Sequence, residues 1–119
     1  MIYAANWKMN GDKVFVHSIL SQIKDNILPF LSKGAGLILC PPIIYLSEVN
    51  EICKNTSIET GAQDCSAHKN GAFTGEVSAE MISGTGSEWV ILGHSERRQY
   101  HAENNILLFD NYALHIMLA

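Results

Sequence analysis

Residues 36–42 read Gly36-Leu37-Ile38-Leu39-Cys40-Pro41-Pro42. Leu37 to Cys40 leave no polar face, so a strand made from them is covered on both sides, as in a parallel sheet. The two prolines end it, because neither can donate a backbone hydrogen bond to a neighbour. Upstream, Gly34 and Gly36 mark a turn, and Val16, Ile19, Leu20, Ile23, Ile27 and Leu31 recur at three- and four-residue steps. That spacing predicts an amphipathic helix, and residues 2–7 before it read as a first strand. Downstream, Tyr45, Val49, Ile52 and Cys53 trace a second helix, and residues 57–63 form a less apolar third strand. Residues 64–77 are a long polar loop with Gly71 and Gly75. Ser78 is placed to cap a short helix through Met81 and Ile82 that ends at Gly84. Residues 88–93, with Trp89, Val90, Ile91 and Leu92, make the fourth strand.

Strands separated by helices pair in parallel through right-handed crossovers, which makes the chain α/β. Spacing alone fits either a doubly wound sheet or part of a (βα)₈ barrel. In both, ligand chemistry gathers just past the C-terminal ends of the strands.

Composition narrows the function classes. Of 119 residues, 47% are hydrophobic and 17% charged, a globular balance rather than a disordered one. A formal net charge of −4, with only Arg97-Arg98 as adjacent cations, gives no electrostatic reason to expect nucleic acid. Residues 34–46 are the longest uncharged apolar run, but they contain two prolines and are too short to span a bilayer. The first ten residues lack the pattern of a secretory signal. Cys40, Cys53 and Cys65 are an odd number with no CxxC pair, which suits a reducing compartment. A cytoplasmic protein without membrane segments is expected. Cys65 and His68 have ligand-like spacing, but no second pair accompanies them, so no metal is expected.

Two strand ends carry polar chemistry. Asn6 and Lys8 lie two apart at the close of the first strand, so strand alternation sends them to one side. An amide and an ammonium so placed can hold an anion such as a phosphate ester. His94 follows the fourth strand and opens a turn into a helix. Imidazole there can polarise a carbonyl or move a proton, since it titrates near neutral pH. Glu96, beside Arg97 and Arg98, reads as part of an ion-pair network. Gly84-Thr85-Gly86 is explained as well by a helix-ending turn as by phosphate binding.

Four segments together resemble one enzyme family. Ala5-Asn6-Trp7-Lys8-Met9-Asn10 is similar to the first-strand signature of the triosephosphate isomerases, and Ile91-Leu92-Gly93-His94-Ser95-Glu96-Arg97-Arg98 to their fourth-strand signature. Between them, Gly61-Ala62-Gln63-Asp64 and Gly71-Ala72-Phe73-Thr74-Gly75-Glu76-Val77-Ser78 are similar to the third strand and the loop after it. The resemblance implies a (βα)₈ barrel, of which this chain holds about the first four βα units. It implies a homodimer that interconverts dihydroxyacetone phosphate and glyceraldehyde 3-phosphate in glycolysis and gluconeogenesis, with no metal or cofactor. Asn6 and Lys8 then match the substrate-binding pair. His94 matches the imidazole that polarises the substrate carbonyl, whose neutrality is an established case of pKa tuning in that family. Glu96 matches a carboxylate supporting the lysine. Residues 64–77 match the loop that enters the partner subunit, with Thr74 near its tip at the interface.

The resemblance also implies departures. Such a barrel takes about 250 residues, and the family's proton-abstracting glutamate and glycine-rich phosphate loops lie on later strands. The reading therefore divides the chain into residues 1–105, the N-terminal half of a barrel, and residues 106–119, a divergent apolar tail of the kind a frameshift or a truncation leaves. Little or no activity is expected of the 119 residues alone. The alternative expectation is a non-catalytic half-barrel that binds or assembles through residues 64–77.

Overall fold

A computed structural model describes residues 1–31, 33–104 and 115–118. Its elements alternate: β1 (Ile2–Asn6), α1 (Lys13–Asn26), β2 (Gly36–Cys40), α2 (Ile43–Cys53), β3 (Ile58–Ala62), α3 (Ala79–Gly84), β4 (Trp89–Leu92), α4 (Ser95–His101) and β5 (His115–Leu118). A single 3₁₀ turn, Leu28–Phe30, carries Pro29 beyond the end of α1. The strands form one sheet in chain order, β1-β2-β3-β4-β5, and every pairing is parallel. Successive βα units are what the alternation of apolar strands and amphipathic helices predicts, and their chain-ordered, curled sheet is that of a partial barrel and not of a doubly wound sheet, whose strand order reverses.

The fifth strand is the difference. His115–Leu118 lies in the stretch read from sequence as an apolar tail, and it pairs with the whole of β4, from Trp89↔His115 to Leu92↔Leu118. The rest of that stretch, 105–114 and 119, lies outside the described residues.

Alternation along β2 shows how the sheet separates two apolar layers. Leu37 and Leu39 face the helices, packing with Val16, Leu20 and Ile23 of α1 and with Val49 and Cys53 of α2. Ile38 and Cys40 point to the opposite face, where they meet Ile91 and the flank of Trp89. A further helix-side cluster joins Ala62, Val90 and Leu92 to Leu46 of α2 and Ile82 of α3. Gly61 is needed where β3 and β4 approach: a Cβ there would lie 2.9 Å from Trp89 Cβ and 3.1 Å from Cys40 Sγ. The buried hydroxyls of Thr60 and Ser87 satisfy each other at 2.7 Å.

Helix starts follow the capping rules. Asp12 accepts from the Phe15 N–H at 2.8 Å at the start of α1, and Ser78 accepts from the Met81 N–H at 3.2 Å at the start of α3. Among the described residues, no helix is long and apolar enough to cross a membrane.

Candidate active site at the strand ends

Between β1 and α1, residues 7–12 form a loop anchored from two helices. Trp7 packs edge-to-face on Phe15 at a centroid distance of 5.4 Å, and the Tyr45 hydroxyl of α2 donates to Gly11 O at 3.3 Å. Trp7 N–H donates to Cys40 O, which carries the β1–β2 pairing one residue past the strand. The chain then turns sharply, with Lys8 at φ +54°, a region that residues bearing a Cβ seldom occupy. The Lys8 N–H donates to Asn6 Oδ1 at 2.9 Å. Asn6 and Lys8 are therefore brought together by a side-chain-closed turn, and not by the strand alternation read from their spacing.

At the end of β4, Gly93 sits at φ +65° and His94 is the N-cap of α4. The Glu96 N–H donates to His94 Nδ1 at 3.2 Å, an arrangement that places the ring proton on Nε2. The ring is mostly buried, with 18% of the side chain exposed. Glu96 reaches across to β1: Lys8 Nζ donates to its Oε1 at 2.6 Å. That hydrogen bond, with the lysine charge, holds the Glu96 carboxyl below the usual carboxylate range. Both side chains are about half exposed, so solvent screens the pair and its role is more to orient than to stabilise. Glu96 is thus ion-paired with Lys8.

The arginine network lies alongside. Arg97 Nη2 donates to Asp64 Oδ2 at 2.8 Å and its Nε to Glu103 Oε1 at 2.5 Å. Glu103 Oε2 is buried and, among the described residues, has no hydrogen-bond partner. Burial pushes the Asp64 carboxyl up to about 7, Glu103 and Glu76 adding to the rise and Arg97 opposing it. Burial also pushes the Cys65 thiol up to about 12, leaving it a poor nucleophile at neutral pH.

Asn6, Lys8, Gln63, His94, Glu96 and Tyr100 line one cavity of about 320 Å³ at the C-terminal ends of β1, β3 and β4. This volume is at the small end of the range for organic ligands. Four of the five residues singled out from sequence meet there. Thr74 does not. It lines a second cavity of about 450 Å³, with Cys65, His68, Phe73 and His101, on the side of the 64–77 loop. That loop is closed at its base by Ser66 N–H donating to Val77 O at 2.8 Å, and the His68 ring stacks on Phe73. Among the described residues, no group of three or more His, Cys, Asp or Glu side chains is placed to hold a metal ion.

Sequence reasoning gave no role to Gln63, whose amide Nε2 donates to Lys8 O at 2.9 Å and to Cys40 O at 2.8 Å. Its position directly after β3, on the ligand side of a parallel sheet, was the available signal.

A curled parallel βα sheet, with its polar cavity at the carboxyl ends of the strands, places the protein among the (βα)₈-barrel proteins. The triosephosphate isomerase family model matches residues 1–116, a span that continues past Asn105. The chain belongs to the triosephosphate isomerase family. Over 112 residues it is 40% identical to the triosephosphate isomerase of Xylella fastidiosa (strain 9a5c), covering 94% of this chain and 44% of that protein. It is 41% identical over 102 residues to the triosephosphate isomerase of Granulibacter bethesdensis, with coverages of 86% and 41%. The corresponding enzyme of Stenotrophomonas maltophilia (strain R551-3) is 40% identical over 112 residues, with coverages of 94% and 43%. The chain spans less than half the length of these curated relatives.

Proposed function

We propose that this chain provides the anion-binding and carbonyl-polarising part of an active site that interconverts dihydroxyacetone phosphate and glyceraldehyde 3-phosphate, in the cytoplasm and as part of a homodimer. One observation carries the reading: Asn6, Lys8, His94 and Glu96 line a single strand-end cavity, with Lys8 joined to Glu96 at 2.6 Å. In this proposal Lys8 offsets the charge of the phosphate and of the enediolate formed between the two sugars. Asn6 holds the Lys8 turn and contacts substrate. His94, with its ring proton on Nε2, donates to the carbonyl oxygen as negative charge develops there. Glu96 keeps the ammonium in place, and Thr74 belongs to the subunit interface.

No carboxylate in the 119 residues matches the base that removes the substrate proton in this family. A positioned general base contributes about 10²–10⁴ in rate, so the 119 residues alone are expected to have little or no turnover. A coupled isomerase assay on the purified chain, with His94→Gln as control, tests this. Turnover within about a hundredfold of a full-length relative, lost in the variant, would overturn it, since a missing base alone costs that much.

A further inference from the structure

Three strand ends meet at one side-chain amide. Gln63, just past β3, donates through Nε2 to the carbonyl of Lys8 after β1 and to the carbonyl of Cys40, the last residue of β2. Both partners are carbonyl oxygens, so the amide nitrogen must face them and the orientation of the group has no alternative. Lys8 is the residue that needs this. It is one of only three described non-glycine residues with positive φ, and a left-handed lysine persists only where its surroundings hold it. Every polar group of Lys8 is held: its N–H by Asn6 Oδ1, its carbonyl by Gln63 and its ammonium by Glu96. Two of these contacts come from residues already given roles in the site. The third does not.

We propose that Gln63 is a positioning residue, whose side-chain amide pins Lys8 in the left-handed turn that aims its ammonium across the cavity, ready for the phosphoryl group of a bound substrate. The assignment deepens the reading of Lys8 given under Proposed function and rests on it for the identity of the anion. The backbone restraint can be tested separately. Without the amide, the Lys8 carbonyl loses its protein donor and the turn relaxes toward extended backbone, which carries the ammonium away from Glu96. A purely structural Gln63 would instead lower stability and leave the Lys8 backbone and its anion affinity unchanged.

The experiment uses isotope-labelled full chain in three forms: unmodified, Gln63→Met, which keeps the length and removes both donors, and Gln63→Glu, which sets a carboxylate against two carbonyls. In the unmodified chain the Gln63 side-chain amide protons should exchange slowly, and the Lys8 HN–Hα coupling should report positive φ. Exchange at the rate of a free amide would overturn the proposal without need of a variant. In Gln63→Met, the Lys8 coupling should move toward extended values while the amides of Val90 and Ile91 keep their positions. Inorganic phosphate, titrated as the anion probe, should bind on the order of tenfold more weakly, as for one misplaced charge-assisted contact. An unchanged Lys8 coupling in either folded variant would overturn the assignment. If phosphate fails to perturb Lys8 in the unmodified chain, the substrate reading fails, and the coupling alone decides the role of Gln63.

Discussion

Asp64 is a residue whose chemistry is set by its surroundings. Its carboxyl titrates at about 7 in the folded chain against an ordinary value of 3.8. A raised folded value means the native state holds the proton more tightly than the unfolded one. The resulting stability is complete below about pH 4 and is lost as pH rises through about 7. Asp64→Asn should therefore be more stable than the unmodified chain at pH 8 and lose that advantage near pH 4. The gain has an upper limit of about 4 kcal/mol, reduced by the lost charge on the Arg97 contact. Urea unfolding of both proteins at pH 5 and pH 8 checks this, and an advantage that grows toward low pH would contradict it. Nothing in the sequence near Asp64 announces such a shift, because its main cause is burial by the fold, and the charges that modify it, Arg97 lowering and Glu103 raising, come from more than thirty residues away. Lys8 shows the same limit. Its presence at a strand end is visible from sequence, but its left-handed backbone is not, since lysine carries no preference for that region.

Among the secondary-structure elements, legibility followed the strength of the local signal. β2 is read to its boundaries because an apolar run is bracketed by a glycine and two prolines, and the short α3 because Ser78 and Gly84 bracket it. β5 was missed for the converse reason. His115–Leu118 is a histidine followed by three apolar residues, with neither alternation nor flanking turn residues, and such a run does not distinguish strand from helix. The β3–β4 contact also depends on one element-level choice, Gly61, where any side chain meets Trp89 and Cys40. Gly61→Ala should destabilise the fold by roughly 1–3 kcal/mol, the usual cost of overpacking. Chemical denaturation followed by tryptophan fluorescence measures it, and a loss below about 0.5 kcal/mol would show that the two strands separate more freely than the contact distances imply.

Across the chain as a whole, β1 leaves an open strand edge among the described strands. It pairs only with β2 among the described strands, and Ile2 and Tyr3 are about half exposed on it. An open strand edge bearing apolar side chains pairs readily with another chain. The 119 residues should therefore self-associate, and Ile2→Lys, which puts a charge on that edge, should shift the population toward monomer in sedimentation velocity. Equal distributions for the two proteins would place the association surface elsewhere. The functional account itself is tested by titrating dihydroxyacetone phosphate into the labelled chain and following backbone and ring resonances. The resonances of Asn6, Lys8, His94 and Glu96 are expected to move together along one binding curve. Perturbations that leave Lys8 and His94 untouched, or that move them at different concentrations, would contradict it.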